Sequence, residues 1–204
     1  MTSSQNIAET IGHAADGNEA AQQVLYQAHY AAAFRLTCLL LQDVRDAEEV
    51  VQDAFVYLFR NLRRYDPERG SIWTWLRVIL VSRCRNKYRR RQLPLVSLEA
   101  LDAADQAPAG LNPSGDPVYS LEMRGAQRAV WGALQRVSRG AREALILRYY
   151  EGLPYAEIAT LLACSPDAAR ARVAHGKVQL RRLLTESQEG LARESGTVRV
   201  AKAG

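Results

Sequence analysis

The chain has little of the chemistry from which disulfide frameworks and zinc sites are built. Its 204 residues include three cysteines, and Cys38, Cys84 and Cys164 lie far apart in apolar helical patterns with no CxxC spacing. An odd number of isolated cysteines indicates neither a disulfide framework nor a metal site. We therefore expect buried thiols and a protein of a reducing compartment, the cytoplasm.

Signals for export and membrane insertion are also absent from the sequence. Residues 1–20 lack a basic start followed by an apolar core, so we expect no signal peptide. The longest apolar runs are far shorter than the roughly 20 residues that a membrane-spanning helix needs. The sequence therefore predicts no membrane insertion.

No pattern in the sequence is typical of an enzyme. The three histidines, His13, His29 and His175, are isolated, and no Ser/His/Asp set or carboxylate pair is placed by its spacing. A Gly-rich phosphate loop is missing as well. We therefore expect no catalytic residue, no metal, no cofactor and no enzymatic activity.

What the sequence does contain is a strong asymmetry of charge. The formal net charge is +5, yet residues 60–91 hold eleven Lys and Arg against two acids, whereas residues 93–118 hold four acids and no Lys or Arg. Local basicity of this size favours a polyanionic partner, through counterion release and electrostatic steering. A solvated helix face is the alternative that charge alone leaves open.

Apolar residues recur with the helical period of 3.6 along most of the chain, and no stretch alternates as a half-buried strand does. The pattern predicts helices over 18–43, 46–62 and 71–91. Asp46 and Ser71 stand where the N-caps of the second and third helices belong. We therefore predict an all-α fold.

A proline-rich stretch divides the chain. Four of the seven prolines fall between residues 94 and 117, where the helical period stops, which is typical of a linker. We predict two small helical domains joined by a flexible, Pro-rich, acidic linker. The segments, in order, are a flexible N-terminal extension, the first domain, the linker, the second domain and a disordered tail (residues 1–17, 18–92, 93–118, 119–185 and 186–204).

Within residues 69–92, two tryptophans stand one turn before a dense run of arginines. An aromatic surface beside a cationic one suits a protein that stacks on unpaired bases while it follows a phosphate backbone. Trp73 and Trp75 lie about 200° apart around a helix, so they cannot share a face. We predict that Trp75 packs in the core beside Leu76 and Ile79, which leaves Trp73 for the surface.

Residues 154–179 have the pattern of a helix-turn-helix. A short apolar helix is followed by a tight turn at residues 163–164, and Ser165 and Pro166 then occupy the N-cap and the first position of a second helix. We expect Gly176 to mark the end of the rigid part of that helix. An ordinary helical hairpin in a bundle is the alternative interpretation.

The order of these motifs resembles that of the extracytoplasmic-function sigma factors, the smallest members of the sigma-70 family of bacterial transcription initiation factors. The resemblance covers roughly residues 18–185, in two blocks separated by the Pro-rich gap. The blocks read "DAEEVVQDAFVYLFRNLRRYDPERGSIWTWLRVILVSRCRNKYRRR" and "ALILRYYEGLPYAEIATLLACSPDAARARV". This resemblance implies core RNA polymerase and promoter DNA as partners, and an anti-sigma factor as a regulator.

The resemblance also implies roles for three groups of residues. A polar face of the helix over 46–62 would bind the polymerase, through Asp46, Glu49, Gln52 and Asp53. The following loop and basic helix would recognise and open the −10 element, through Tyr65, Arg69, Ser71, Trp73, Arg77, Arg83, Asn86, Lys87 and Arg90. The helix-turn-helix would read the −35 element, through Ser165, Ala168, Ala169, Arg170, Arg172, His175 and Lys177.

The second helix of the helix-turn-helix departs from the family pattern. Ala168 and Ala171 stand where the family usually has Thr and Ser, and alanine can touch a thymine methyl but cannot hydrogen-bond a base edge. We therefore expect readout to depend on Arg170, Arg172 and phosphate contacts. A stand-alone helix-turn-helix regulator is the alternative function, which explains residues 119–185 but gives the aromatic and basic helix no role.

Overall fold

A computed structural model describes residues 2–92 and 125–200 of the chain. These residues form helices and short connections without a strand, which confirms the predicted all-α fold. The chain divides into two compact units, residues 1–111 and 112–204. The predicted linker, residues 93–118, lies outside the described residues.

Residues 2–92, the described part of the N-terminal unit, form four α-helices and two 3₁₀ turns. In chain order these are α1 (Thr2–Ala15), α2 (Glu19–Leu41), α3 (Val44–Arg60), the turns Leu62–Arg64 and Pro67–Arg69, and α4 (Ile72–Gln92). Helices α2, α3 and α4 pack against one another around Leu36, Leu58, Leu76 and Leu80, whose side chains are fully buried. Near its C-terminal end, α4 is tied to α2 by a hydrogen bond in which Tyr88 Oη donates to the carbonyl of Leu40 at 2.8 Å.

Contrary to the expectation of a flexible extension over residues 1–17, residues 2–15 form α1. Ile11 and Ala14 are buried, three positions apart on one helix face, and α1 packs against α2. Gln22 Nε2 donates to the carbonyl of Ala14 at 3.1 Å and fixes the corner between the two helices. The apolar pair at helical spacing is the physical reason that this segment is ordered.

The N-cap of α3 is Asp43 and not Asp46, so this prediction is wrong. Asp43 has extended backbone angles, and its side chain accepts a hydrogen bond from the backbone N–H of Asp46 at 2.9 Å. Both residues are acidic and stand near the positive end of the helix, where either satisfies the rules for capping. Asp46 lies instead in the first turn, and only 8% of it is exposed.

Residues 125–200, the described part of the C-terminal unit, form four α-helices and one π-helical turn. These are α5 (Gly125–Arg136), α6 (Arg139–Leu145), the π turn Ile146–Tyr150, α7 (Tyr155–Leu162) and α8 (Pro166–Val200). Helix α8 packs against α5, α6 and α7, and the core contains Leu147, Ile158, Ala169 and Val173. Contrary to the expectation of a disordered tail from residue 186, α8 continues to Val200. Pro166 is the last proline of the chain, so no proline interrupts the helix after its first residue.

Gly176 has a packing role that the sequence did not show. A Cβ atom at this position would lie 2.8 Å from Leu145 Cδ1 and 3.1 Å from the carbonyl oxygen of Ala141. Helix α6 therefore approaches α8 so closely that no side chain fits between them. The helix also runs on past Gly176, so the prediction that Gly176 ends the rigid segment is wrong.

The described helices do not include one that is both long enough and apolar enough to cross a membrane. Two of the cysteines, Cys38 and Cys84, are buried as expected, whereas Cys164 is half-buried in the turn of the helix-turn-helix.

Candidate functional site

The N-terminal unit has an open cavity of about 350 Å³ where the loop after α3 meets the start of α4. Its walls combine aromatic rings with polar groups, which is the composition of pockets that bind small polar aromatic ligands. The rings of Tyr65 and Trp75 stack with centroids 6.0 Å apart and planes 20° apart. The lining residues are Tyr57, Asn61, Arg64, Tyr65, Asp66, Arg69, Gly70, Ser71, Thr74, Trp75 and Val78.

The loop that forms one wall of this cavity is fixed by local hydrogen bonds. Tyr65 Oη donates to the carbonyl of Gly70 at 2.9 Å, and Ser71 Oγ accepts from the backbone N–H of Thr74 at 3.2 Å. Gly70 has a φ of +133°, in the region that favours glycine, and a Cβ there would lie 3.3 Å from Thr74. Burial, with a smaller effect of the nearby Asp66 charge, raises the pKa of Tyr65, so its hydroxyl remains a donor at neutral pH.

The two tryptophans do not divide as the sequence predicted. Trp75 is half-buried and lines the cavity, so its assignment to the core is wrong. Trp73 is also half-buried and stacks on His29 of α2, with ring centroids 6.2 Å apart. Burial lowers the pKa of His29, which favours the neutral ring beneath Trp73. Trp75 is therefore the site residue that the sequence analysis missed.

A stripe of accessible residues continues from the cavity along α4. Its members recur at intervals of three and four residues, the spacing of one helix face. They are Ser71, Trp75, Val78, Ser82, Asn86 and Arg89. Arg90 is exposed next to the end of the stripe, and Arg69 is exposed at the rim of the cavity. The spacing of three and four residues between Trp75 and the polar members of the stripe is visible in the sequence, and it could have identified Trp75 as a site residue.

Arg77 does not lie on that stripe. Only 8% of Arg77 is exposed. It directly follows Leu76 and stands about one turn before Leu80, and both leucines are fully buried. The prediction that Arg77 contacts DNA therefore does not fit its position.

Two of the other predicted DNA-binding cations are paired with the predicted polymerase-binding carboxylates. Lys87 Nζ lies 3.4 Å from Asp46 Oδ1 and also donates to Glu49, and Arg83 Nη1 lies 3.3 Å from Asp53 Oδ2. The hydrogen bond to Glu49 is the main cause that raises the pKa of Lys87, so its ammonium group is charged. The two predicted surfaces therefore meet along the α3–α4 contact.

The outer face of α3 is only partly acidic. Gln52 is exposed as predicted, but Val56 and Tyr57, one turn further on, are 49% and 42% exposed. The guanidinium of Arg83 lies over the ring of Tyr57, 5.3 Å from its centroid. A partner helix on this face would meet carboxylates and apolar side chains together. The sequence analysis missed the apolar part, although it lies four residues beyond Gln52 and Asp53, at helical spacing.

The C-terminal unit contains the predicted helix-turn-helix, formed by α7 and α8. Ala163 in the turn has a φ of +48°, and the backbone N–H of Cys164 donates to the carbonyl of Ala159 at 2.9 Å. Ser165 Oγ accepts from the backbone N–H of Ala168 at 3.1 Å, as an N-cap does. Ser165, which we predicted to contact DNA, therefore also caps the second helix.

The exposed face of α8 differs in phase from the predicted one. Ala169 is fully buried, and Arg172 is half-buried beside Gly140 of α6, so neither lies on the outer face. Ala168 is half-buried as well. The exposed residues at the start of the helix are Asp167, Arg170, Ala171, Ala174, His175, Lys177 and Val178. A prediction from residue type alone could not fix this phase, because consecutive small residues fit either side of the helix.

Arg170 is the exposed arginine of this face and has two neighbours. It forms an ion pair with Asp167 at 3.3 Å, and its guanidinium lies over the ring of Tyr155 of α7, 5.3 Å from the centroid. Arg148 approaches the same ring at 5.0 Å and donates to the carbonyl of Leu153 at 2.9 Å. The guanidinium of Arg170 is therefore held at the surface of the helix-turn-helix.

Comparison with protein families defines the class of this fold and site. Residues 25–93 match the model of Sigma-70 region 2, and residues 127–180 match that of Sigma-70, region 4. The first range contains the cavity and the α4 stripe, and the second contains the helix-turn-helix. A match in both units does not favour the stand-alone helix-turn-helix regulator, which would need only the second.

Similar proteins indicate which kind of sigma-70 protein this chain is. The RNA polymerase sigma factor CarQ of Myxococcus xanthus is 33% identical over 181 residues, which cover 87% of this chain and 97% of that protein. The ECF RNA polymerase sigma factor SigE of Mycolicibacterium smegmatis is 30% identical over 185 residues, 89% of this chain and 69% of that protein. The chain belongs to the extracytoplasmic-function sigma factors of the sigma-70 family and directs the initiation of transcription.

Solved structures show the same fold. This chain is similar to CnrH in complex with the cytosolic domain of CnrY, with a TM-score of 0.56, 23% identity, and coverage of 87% of this chain and 96% of that one. It is also similar to the sigma factor RpoE in complex with the anti-sigma factor NepR from Bartonella quintana. That match has a TM-score of 0.58, 21% identity, and coverage of 80% and 96%.

Proposed function

We propose that this sigma factor binds core RNA polymerase through α3, opens the −10 element with the cavity and α4, and reads the −35 element with α8. The observation that carries the proposal is the Tyr65–Trp75 cavity, which continues into the exposed stripe of α4. No cofactor is needed for these tasks, and catalysis of RNA synthesis stays with the polymerase. The chain acts in the cell interior, where the polymerase works.

Binding of the polymerase uses the exposed face of α3. Glu49, Gln52 and Asp53 offer oxygen acceptors along one side of the helix, and Val56 and Tyr57 add apolar area. A partner helix with arginines and a few apolar side chains is complementary to this face.

Opening of the −10 element uses the cavity. A base that leaves the duplex needs a pocket with aromatic surface, and stacking on aromatic side chains contributes roughly 1–3 kcal/mol per base. Trp75 and Tyr65 supply the rings, and Arg69 and Asn61 supply charge and hydrogen bonds at the wall. Asn86, Arg89 and Arg90 further along α4 then follow the phosphates of the separated strand.

Reading of the −35 element uses the exposed face of α8. In a helix-turn-helix the first residues of the second helix enter the major groove. Arg170 can bind a guanine edge with two hydrogen bonds, and the methyl groups of Ala171 and Ala174 can touch thymine methyls. Lys177 and His175 lie a turn further on, where they reach phosphates.

Regulation by a separate anti-sigma protein fits the fold. RpoE and CnrH, which have this fold, were each solved with a bound partner protein, and the partner of RpoE is an anti-sigma factor. We propose that an anti-sigma partner of this chain covers the α3 face and so competes with the polymerase.

A substitution of Trp75 tests the proposal at its central feature. Trp75→Ala should retain binding to core polymerase but reduce strand opening at the −10 element about 5- to 150-fold, since a stacked base contributes roughly 1–3 kcal/mol. Permanganate reactivity of unpaired thymines measures the open strand. Trp75→Phe keeps an aromatic ring and should restore most of the opening. Equal opening by the wild type and the alanine variant would contradict the role of the cavity.

A further inference from the structure

The contact between α3 and α4 joins the two surfaces that the proposed function keeps apart. Lys87 bridges Asp46 and Glu49, and Arg83 pairs with Asp53 at 3.3 Å. The side chains of the two cations are only 22% and 30% exposed, because they lie along the contact. Each of these side chains therefore faces a carboxylate of α3 and not the solvent.

The carboxylates, in contrast, are open to a partner. The side chains of Glu49 and Asp53 are each 62% exposed, so a second cation can approach them from outside. A partner arginine can hold either carboxylate by two hydrogen bonds, which is a stronger arrangement than a single contact at 3.3 Å. An approaching cation also repels the Lys and Arg that already occupy the carboxylates.

We infer that binding of a cationic partner to α3 releases Arg83 and Lys87 toward the DNA backbone, so that the α3–α4 ion pairs couple polymerase binding to DNA binding. This inference rests on the proposed function of the two faces. In the free chain the pairs keep two cations away from DNA, and in the holoenzyme the same cations contact phosphates. Coupling of this kind is reciprocal, so DNA must also strengthen binding to the polymerase.

The size of the coupling follows from the exposure of the pairs. Ion pairs at a protein surface change an equilibrium by at most about fivefold each. Release of one cation to a single-stranded backbone should also steepen the dependence of log K on log salt by about 0.7. The change in affinity for DNA and the change in salt dependence are both measurable on the free chain.

The first experiment compares two neutralised carboxylates of α3 in the full chain. The probe is a fluorescent single-stranded oligonucleotide of mixed sequence, titrated at several salt concentrations. Asp53→Asn should raise the affinity two- to fivefold and steepen the salt dependence. Glu48→Gln removes one charge from the same helix but frees no cation, because within residues 7–90 the exposed Glu48 has no ion pair. Equal effects of the two substitutions, with an unchanged salt slope, would overturn the coupling.

The second experiment measures the reciprocal effect on core polymerase. Arg83→Gln leaves Asp53 without its intrachain cation and should tighten binding to core polymerase two- to fivefold. The control is Arg35→Gln, which removes an exposed cation of α2 and should leave that affinity unchanged. Weaker or unchanged binding by Arg83→Gln would also overturn the coupling. If the wild-type chain itself does not bind core polymerase, the proposed function fails, and this outcome is distinct from equal binding by the variants.

Discussion

At the scale of single residues, one exposed arginine of α8, Arg170, is placed to make the −35 contact that we propose. Arg170 lies between the carboxylate of Asp167 and the ring of Tyr155, and the exposed neighbours on its face are alanines. A guanidinium held by two neighbours loses little freedom when it binds a base edge. The sequence specificity of the −35 contact should therefore centre on a guanine, next to bases that present methyl groups.

Replacing Arg170 tests this expectation. Arg170→Ala should abolish the preference for one base pair and leave the preferences at neighbouring positions in place. Binding to the preferred sequence should weaken by about 1–3 kcal/mol. The measurement is selection of bound duplexes from a library with a randomised −35 element, using the holoenzyme. Lys177→Ala, at a position that we propose contacts phosphate, should weaken binding to all sequences alike. If Arg170→Ala instead lowers the affinity for all sequences equally, Arg170 contacts phosphate and does not read a base, which would contradict this expectation.

At the scale of helices, the close approach of α6 and α8 decides the geometry of the helix-turn-helix. Gly176 permits this approach, although glycine inside a helix costs about 1 kcal/mol relative to alanine. A Cβ at this position would lie 2.8 Å from Leu145 and 3.1 Å from the Ala141 carbonyl, so an alanine methyl would press against both.

A pair of glycine substitutions separates packing from helix propensity. Gly176→Ala should lower the free energy of unfolding by about 1–2 kcal/mol, because the clash outweighs the gain in propensity. Gly132→Ala in α5 has open space around the new methyl group and should raise that free energy by up to about 1 kcal/mol. Urea unfolding of the full chain, followed by circular dichroism, measures both. A stabilising Gly176→Ala would contradict the packing role.

The sequence predicted helices better than it predicted the faces that they bury. Ser165 and Pro166 specify the start of α8 through local chemistry, and the structure has the helix there. The burial of Arg77 and Ala169 and the half-buried position of Trp75 depend on which helix packs against each face. That contact between helices is not a local property of the sequence. The pairing of Arg83 with Asp53 joins residues 30 positions apart and left no pattern in the sequence.

At the scale of the whole molecule, we propose that the two units divide the work of promoter recognition. The N-terminal unit carries the cavity, the accessible stripe of α4 and the α3 face, and the C-terminal unit carries the helix-turn-helix. Their order along the chain, with the match to Sigma-70 region 2 before the match to region 4, is that of a sigma factor. Residues 93–118 lie outside the described residues, so the flexible acidic linker stays a prediction.

The central claim is that this chain turns core RNA polymerase into a promoter-specific enzyme. The most direct measurement is run-off transcription with purified core polymerase on a pool of promoter fragments from the source genome, together with co-elution of the chain with core. We predict discrete products that require the chain and disappear when Glu49 and Asp53 are both changed to Arg. A folded chain that neither co-elutes with core polymerase nor gives a product would contradict the account.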